Sequence, residues 1–368
     1  MIVPFLDVGF TYRDLKGDID TAIQRVMDSG MYIQGDEVTA FENEFADWSG
    51  ASHCIGTGNG LDALFLGLKA VGVGPGDEVI VPSHTFIATW LAVSRLDAKL
   101  IPVEPDPVTY QISADACAAA ITPKTKAIVP VHLYGHPCDM PPILALAAEH
   151  GIKVVTDAAQ AHGAKINGAD IGAMGDVVAW SFYPGKNLGA FGDGGAVTTD
   201  DPELALLIRQ LGNYGSREKY VHELEGINSR LDPLQAAAMR VKLTAIDRWT
   251  ERRRAIAGVY LDRLSGLGLT LPGVANWADP AWHLFVVRGG DRKSLMQRLA
   301  ENGVASAIHY PLACHHQGAY RNDFAEQSFP LAEAIATDCI SLPIGPHIEL
   351  SEAEQICDAV TLAMKSLA

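Results

Sequence analysis

The amino-acid sequence predicts an α/β protein with a mostly parallel central sheet and a smaller C-terminal α+β domain. Between residues 50 and 200, short apolar segments typical of buried strands alternate with segments whose apolar residues recur at helical spacing. After the long helical pattern that follows, a smaller set of strands and helices begins. A chain of 368 residues is long enough for two domains. We therefore predict a large domain over residues 1–245 and a small one over 246–368.

Seven segments are predicted to form the central sheet. Their apolar runs are continuous rather than alternating, which favours strands covered on both faces. In chain order they are His53–Thr57, Glu78–Pro82, Lys99–Val103, Lys126–His132, Ile152–Asp157, Val177–Phe182 and Gly195–Thr199. Helices are predicted after the first two, at Leu61–Lys69 and Phe86–Val93. The last two strands follow each other without a helix, which departs from a strict strand–helix alternation.

Helix signals mark the passage into the second domain. Asp201 and Pro202 are typical of an N-cap and a first helical residue. Apolar residues at helical spacing from Asp232 to about Leu264 predict one or two long helices. Within the small domain we predict strands at His283–Val287 and Ala305–His309, a helix at Arg292–Asn302, and a capping box at Ser351–Glu354 that opens the last helix.

Composition restricts the possible partners and compartment. The net charge of −16 argues against a nucleic acid as the main partner, although backbone amides can still hold a small phosphate ligand. No apolar stretch approaches the ~20 residues that span a bilayer, so no membrane segment is expected. The N-terminus shows no secretory signal, and the six cysteines have no CxxC pair. We therefore expect a cytoplasmic protein with reduced, mostly buried thiols.

Lys186 lies in a segment that suits neither a helix nor a strand. Pro184, Gly185 and the glycines that follow predict a tight loop that holds the amine at a fixed place. Upstream, Asp157 ends a predicted buried strand, where a carboxylate needs a cationic or hydrogen-bonding partner. Pyridoxal 5′-phosphate (PLP) chemistry requires such a pair: the lysine forms the Schiff base, and the carboxylate keeps the pyridine nitrogen protonated. The alternatives are a solvated lysine and a capping aspartate.

Gly56–Gly60 joins a predicted strand to a helix and is suited to binding phosphate at the helix N-terminus. A dinucleotide fingerprint is the alternative, but it requires glycine where this chain has Leu61. The hydroxyl of Ser181 is a further candidate for the phosphate site. Asn228 and Arg230 suit a phosphate ligand or, equally, a turn before the long helix.

Two segments, His132–Asp139 and Cys314–His316, contain potential metal ligands. Neither has the spacing of a structural or catalytic zinc site, so we predict no metal. His309 and Tyr310 end a predicted strand of the small domain. Packing is the usual role of such residues, and both are retained only as candidate substrate contacts.

Taken together, these motifs resemble the nucleotide-sugar aminotransferases of the DegT/StrS family, which have the aspartate aminotransferase fold (PLP fold type I). The resemblance covers nearly the whole chain. Its motifs are Gly35–Glu42, Asp157–Gly163, the Lys186 loop, Asn228–Ala237 and Ser341–Gly345.

The resemblance implies that Lys186 and Asp157 are the catalytic residues and that Lys186 also moves the proton. It implies that Gln160 lies near the phenolic oxygen of PLP and that Phe86 stacks on the ring. The expected phosphate ligands are Asn59, Gly60, Leu61 and Ser181, joined by Asn228 from the neighbouring subunit. The protein is accordingly expected to be an obligate homodimer with shared active sites.

Two departures from the common family pattern indicate a subgroup. Tyr183 stands where many members, especially those that aminate C4 of the sugar, have histidine, and Gly189–Gly195 replaces a Thr-Thr-Gly-Glu-Gly-Gly segment. With Tyr214–Tyr220, these features resemble the subgroup that acts on dTDP-3-oxo-6-deoxyhexoses. Thr156 replaces a common acidic residue, which concerns local packing only. The candidate sugar contacts are Tyr183, Tyr214, Lys219, Tyr220, His309 and Tyr310.

The implied reaction is transamination of a dTDP-3-keto-6-deoxyhexose, with glutamate as amino donor. Its product is a dTDP-3-amino-3,6-dideoxyhexose for bacterial glycan or antibiotic sugar synthesis. A 4-keto nucleotide-sugar aminotransferase and a non-catalytic PLP-binding regulator remain alternatives. A sugar dehydratase is disfavoured, because those relatives replace the lysine with histidine and this chain has Lys186.

Overall fold

The strands of the chain fall into one large sheet and several small ones. They were located in a computed structural model that describes residues 3–366. In chain order they are β1 (His53–Thr57), β2 (Glu78–Pro82), β3 (Lys99–Val103), β4 (Thr125–Ile128), β5 (Lys153–Asp157), β6 (Lys165–Ile166), β7 (Ala169–Asp170), β8 (Val177–Ser181), β9 (Gly195–Thr199), β10 (Ser216–Glu218), β11 (Val221–His222), β12 (Ala278–Asp279), β13 (Phe285–Arg288) and β14 (Cys339–Leu342).

The large sheet has seven strands in the order β1-β9-β8-β5-β4-β2-β3. Only β9 runs against its neighbours, pairing antiparallel with both β1 and β8. The other pairs are parallel. The predicted α/β fold with a mostly parallel sheet is therefore confirmed. Because β8 and β9 are antiparallel neighbours, the segment between them returns at the sheet edge where the parallel strands end. That segment contains Lys186.

Helices cover the sheet and build the smaller C-terminal part. They are α1 (Phe10–Asp14), α2 (Lys16–Ser29), α3 (Asp36–Ser49), α4 (Gly60–Ala70), α5 (Ile87–Ser94), α6 (Ala114–Ala120), α7 (Met140–His150), α8 (Pro202–Gly212), α9 (Pro233–Leu243), α10 (Ile246–Arg263), α11 (Arg292–Glu301), α12 (Pro330–Asp338) and α13 (Leu350–Lys365), with 3₁₀ turns at Leu133–Gly135 and Cys314–His316. As predicted, Asp201 caps α8, its carboxylate accepting the amides of Glu203 and Leu204.

Each face of the large sheet packs against its own core. In β2, Ile80 joins the core that contains Phe41 and Trp180, whereas Val79 and Val81 join the core on the other face. Successive strand residues point to opposite faces, so a strand covered on both sides needs apolar residues at every position. This explains the continuous apolar runs in the sequence.

The smaller core lies around the antiparallel pair β13–β14. Tyr260, Phe285 and Ile340 are buried there, and Val3 from the N-terminal segment joins them. In the other direction, Tyr320 packs against Trp90 in a core of the large sheet, with ring centroids 5.2 Å apart. Segments from each side of the predicted boundary at 245/246 therefore pack in the core of the other side. The boundary falls between α9 and α10 and stays a prediction.

Three local predictions were wrong or too long. Ala305–His309 is not a strand: it meets the free edge of β14 only through an isolated bridge between Ala307 and Ser341. The β4 strand ends at Ile128, since Pro130 has no amide to donate. The capping box that opens α13 consists of Glu349 and Glu352, two residues before the predicted position. The Glu349 carboxylate accepts the N3 backbone amide in place of the predicted serine hydroxyl.

Two global expectations concern cysteines and membranes. All six cysteines are buried and unpaired, as the scattered spacing predicted. Among residues 3–366, no helix combines the length and apolar character needed to cross a bilayer.

Candidate active site

A cavity of about 640 Å³ opens at the carboxyl end of the parallel strands, between the large sheet and the small domain. This edge of an open α/β sheet is where ligands usually bind. Eleven of the residues singled out in the sequence line it, although they come from distant segments: Asn59, Gly60, Leu61, Phe86, Asp157, Gln160, Ser181, Tyr183, Lys186, His309 and Tyr310.

Asp157 ends β5 with its carboxylate buried and held by two donors. Thr89 Oγ1 donates to Oδ2 at 2.9 Å, and the amide of Ala159 donates to Oδ1 at 3.1 Å. Burial raises the pKa of Asp157, while these hydrogen bonds and the charge of Lys186 oppose the rise. A buried carboxylate in this setting needs a cationic partner, which a pyridinium nitrogen supplies.

Lys186 lies in the β8–β9 loop, where its backbone amide donates to the carbonyl of Tyr183 at 2.8 Å. A side chain at Gly189 would not fit, because its Cβ would lie 2.4 Å from the Pro184 carbonyl oxygen. Burial lowers the pKa of Lys186 to about 8, and Asp157 opposes this effect. A substantial fraction of the amine is therefore neutral near physiological pH, which is the form able to attack a carbonyl carbon.

One corner of the cavity fits a phosphate group. Asn59 caps α4, its side-chain oxygen accepting the Asp62 amide at 2.8 Å, so the amides that begin this helix face the cavity corner. Gly60 lies so close to Ser181 that an added Cβ would be 2.6 Å from the serine Cβ. Helix amides and a serine hydroxyl thus converge, a donor set that suits the phosphate monoester of PLP.

Gln160 is fixed in one orientation on the opposite wall. Its side-chain oxygen accepts the Tyr134 amide at 2.6 Å, and its Nε2 donates to the hydroxyl of Tyr310 at 2.9 Å. The donor end of the amide is therefore on the cavity side, as the predicted contact with a phenolic oxygen requires. The Tyr310 ring lies 5.3 Å from the Phe86 ring, centroid to centroid. These two rings form an aromatic wall of the cavity.

His309 reaches the cavity from the small domain as a neutral ring. Burial, with a contribution from the charge of Lys186, lowers the pKa of His309 to about 4. Its Nδ1 lies 2.8 Å from Ser341 Oγ, and Phe5 stacks on the ring at 5.6 Å. His309 is therefore held as a fixed, uncharged hydrogen-bonding group.

Four predicted site residues do not reach the cavity of their own chain. Tyr214, Lys219 and Tyr220 belong to the segment around the β10–β11 hairpin, and Tyr220 is 83% exposed. Asn228 is also exposed, and its backbone pairs with Asn213. The strands of the hairpin pair only with each other, and none of these residues lines the cavity. The prediction for Asn228 placed it in a neighbouring subunit's site and is untested.

The sequence analysis missed two residues that line the cavity, Arg253 and His283, and two that hold cavity residues in place, Thr89 and Tyr134. Thr89 contacts Asp157 across 68 positions of sequence, which no local pattern shows. Arg253 lies in a run of three arginines that suggests a solvated face, yet it is 4% exposed. Its spacing from Trp249 and Ile256, four and three residues away, places it on the apolar stripe of α10 and could have indicated burial.

The predicted absence of a metal is also untested. His315, His316 and Glu333 place ligand atoms within 4.8 Å of one another. However, the Glu333 carboxylate already accepts hydrogen bonds from Ser328, from the Phe329 amide and from His315 Nε2. These hydrogen bonds explain why the three residues lie together: they hold the first turn of α12 in place.

Comparison with known proteins identifies the family. The model of the "DegT/DnrJ/EryC1/StrS aminotransferase family" matches residues 13–361. The chain is 52% identical to dTDP-3-amino-3,4,6-trideoxy-alpha-D-glucose transaminase of Streptomyces venezuelae, over 97% of this chain and 95% of the relative. It is 47% identical to dTDP-3-amino-3,6-dideoxy-alpha-D-galactopyranose transaminase of Aneurinibacillus thermoaerophilus, over 98% of this chain and 99% of the relative.

A solved structure agrees with the sequence relatives. DesV of S. venezuelae superposes with a TM-score of 0.97 at 51% identity, covering 99% of both chains. The chain therefore belongs to the DegT/DnrJ/EryC1/StrS family of PLP-dependent aminotransferases, which confirms the predicted fold class, cofactor and reaction class.

Proposed function

We propose that the enzyme transfers an amino group from glutamate to C3 of a dTDP-linked 3-keto-6-deoxyhexose. The product is a dTDP-3-amino-3,6-dideoxyhexose. The observation that carries this proposal is the position of Tyr183, which lines the cavity beside Lys186 and is 60% exposed. Both relatives named above are transaminases of dTDP-3-amino sugars by name, which supports amination at C3.

The residues of this chain would hold the cofactor in one orientation. The first amides of α4 and the Ser181 hydroxyl would hold the phosphate, Asp157 would bond the pyridine nitrogen, and Gln160 Nε2 would donate to the phenolic oxygen. When bound, PLP supplies an electron sink for the carbon that carries the amino group. Thr89 keeps the Asp157 carboxylate in place, so the nitrogen stays protonated.

Lys186 has two tasks in the proposed reaction. Its neutral amine would attach the cofactor, and the same amine, when free, would accept and return a proton at Nζ. A pKa of about 8 suits both tasks, because the amine gains and loses a proton near neutral pH.

The sugar is proposed to lie between the two domains, against Tyr183, His309 and Tyr310. The uncharged His309 can accept or donate a hydrogen bond to a hydroxyl without placing a charge beside the ring. The Tyr310 hydroxyl accepts its bond from Gln160, so its own proton remains free to donate. Groups of this kind distinguish sugar isomers, because a wrong isomer leaves them unpaired.

We further propose a cytoplasmic homodimer in which each hairpin segment completes the partner's site. Support comes from the exposure of Tyr214, Lys219, Tyr220 and Asn228 in one chain. Asn228 would add its amide to the phosphate corner of the partner, and the three hairpin residues would approach the sugar nucleotide.

A panel of keto-sugar nucleotides tests the proposed function. The purified enzyme, loaded with PLP, is incubated with glutamate and either a 3-keto or a 4-keto dTDP-deoxyhexose, and the amino sugars are identified by mass and NMR. Amination at C3 is the expected result. Preferential amination of the 4-keto sugar overturns the proposed substrate, and absence of any amination favours a regulator.

A further inference from the structure

We propose that Arg253 forms the carboxylate-binding subsite for the amino donor, on the small-domain wall of the cavity. The inference rests on the proposed function, in which a carboxylate-bearing donor and the keto sugar enter the same cavity in turn. It identifies a residue for binding the amino donor that lies outside all of the sequence motifs.

Arg253 is a buried cation without a counter-charge. It is 4% exposed, and it lines the cavity from α10. Its Nη1 donates to three carbonyl oxygens, those of Trp282 at 3.1 Å, His283 at 3.3 Å and Ile344 at 3.1 Å. Among residues 3–366, no carboxylate lies within 4.0 Å of its guanidinium, the distance that defines an ion pair.

The neighbouring arginines show the contrast. Arg252 pairs with Glu349 at 3.1 Å, and Arg254 pairs with Glu251 at 2.6 Å. Burial lowers the pKa of Arg253 to about 10, so the side chain is still charged at neutral pH. A buried charge is costly unless it is paired, and a cation lining a ligand cavity can be paired by an anionic ligand.

The other charged groups that line the cavity leave Arg253 free for that ligand. Asp157 is engaged by Thr89 and the Ala159 amide, and Asp193 is exposed. His283 adds no charge, because burial and the charges of Lys186 and Arg253 hold its pKa well below the usual range. The guanidinium is therefore the available partner for an anion on this wall.

The position of Arg253 favours a donor carboxylate over the diphosphate of the nucleotide sugar. Asn187, next to Lys186, lies 3.2 Å from His283 Nδ1, and the carbonyl of His283 accepts from Arg253. A single residue, His283, therefore connects Arg253 to the segment that contains Lys186. In an amino acid, the α-carboxylate is bonded to the carbon that bears the reacting amine. In the sugar nucleotide, the hexose ring separates C3 from the diphosphate.

The decisive variants are Arg253→Lys and Arg253→Gln, with Arg252→Gln as a matched control on the same helix. Two quantities are measured on each PLP-loaded enzyme. The first is the equilibrium affinity for succinate, a dicarboxylate without an amino group, by calorimetry. The second is the rate of each half-reaction by single-turnover absorbance, one with glutamate and one with the dTDP-amino sugar.

We expect Arg253→Gln to weaken succinate binding and to lower kcat/KM for glutamate by ~10- to 100-fold, the range for losing a hydrogen bond to a charged group. Arg253→Lys, which keeps the charge, should fall between wild type and Arg253→Gln. The amino-sugar half-reaction should stay within about threefold of wild type in both variants. Arg252→Gln should leave all three measurements unchanged.

Two outcomes overturn the subsite. Equal losses in both half-reactions, together with a lower melting temperature, would make Arg253 a purely structural support of the three carbonyls. A loss confined to the amino-sugar half-reaction would assign it to the diphosphate. If wild type binds succinate through Arg253 but aminates no keto sugar, the proposed sugar substrate fails and the subsite stands.

Discussion

Thr89 Oγ1 donates a hydrogen bond to Asp157 Oδ2 at 2.9 Å, which links the first turn of α5 to the end of a central strand. Thr85 Oγ1 lies 3.0 Å from the same threonine hydroxyl. A short hydroxyl chain therefore supports the carboxylate that is expected to face the pyridine nitrogen. Lys186 takes no part in this chain of hydroxyls.

The first prediction concerns this hydrogen bond. Thr89→Val keeps the side-chain shape and removes the donor, so the pKa of Asp157 should rise further. We expect turnover to fall ~10-fold, in line with the ~1 to 1.5 kcal/mol of an ordinary hydrogen bond. Steady-state kinetics measure the loss, and Thr85→Val, one hydroxyl farther away, should cost less. Unchanged turnover in Thr89→Val would show that the Ala159 amide suffices to hold the carboxylate.

Asp157→Ala should damage catalysis far more than stability. The variant loses the partner of the pyridine nitrogen, and with it the electron sink, so turnover should fall by about three orders of magnitude or more. Stability should change little, because the pKa of Asp157 is raised in the folded chain, meaning that its ionised form is not stabilised there. Urea denaturation and turnover are compared on the same samples. Near wild-type turnover would make Asp157 a structural cap.

The stability of the cofactor-free protein should depend on pH through Lys186. Its pKa falls from the usual 10.5 to about 8 on folding, so between these values the unfolded chain binds more protons. Stability should therefore rise as pH increases from about 8 to 10.5, by at most ~3 kcal/mol. Below pH 8 the buried charge destabilises the fold, and Lys186→Met should be more stable than wild type there.

Denaturation curves of wild type and Lys186→Met across this pH range isolate the lysine, because their difference removes the other titrating groups. A difference that stays constant with pH would mean that the amine is hydrated in the cofactor-free protein.

The sequence predicts those parts of the site that depend on residues within one segment, and it misses those that depend on contacts between distant segments. The strands were predictable from continuous apolar runs, and the Lys186 loop from Pro184 and Gly185, because each of these signals lies within the segment that it predicts. Asp157 was recognisable as a strand end. The contact of Thr89 with Asp157 and the burial of Arg253 depend on how helices pack on the sheet, which periodicity alone does not specify. The prediction for Ala305–His309 failed for the same reason: its composition suits a strand, but only Ala307 pairs with the free edge of β14.

Subunit exchange tests the proposed role of Asn228. If Asn228 completes the partner's phosphate site, mixing inactive Lys186→Ala with an inactive Asn228 variant should restore activity. Each mixed dimer then has one intact site, built from the wild-type Lys186 of one chain and the wild-type Asn228 of the other, and one doubly damaged site. Activity should approach a quarter of wild type when half of the dimers are mixed. If native mass spectrometry confirms exchange without recovery, Asn228 acts in its own chain or in no site.

The last prediction concerns Tyr183 and the choice between sugar isomers. Tyr183 is 60% exposed and lines the cavity three residues before Lys186, while His309 and Tyr310 line the same cavity from the small domain. A phenol hydroxyl placed there can bond a sugar hydroxyl beside the reacting carbon. The wrong keto isomer would leave this group without its partner. We expect wild type to prefer the 3-keto over the 4-keto sugar nucleotide by at least ~100-fold in kcat/KM, on the order of 3 kcal/mol.

Tyr183→Phe keeps the ring and removes only the hydroxyl, so it separates packing from recognition. If the hydroxyl discriminates, the preference in competition kinetics should shrink about tenfold or more, with kcat/KM for the 3-keto sugar falling and that for the 4-keto sugar nearly unchanged. If Tyr183 only packs beside the loop, Tyr183→Phe should behave as wild type with both sugars. Equal use of the two isomers by wild type would leave the aminotransferase intact and refute its assignment to C3, because recognition would then have to come from groups that treat both carbons alike.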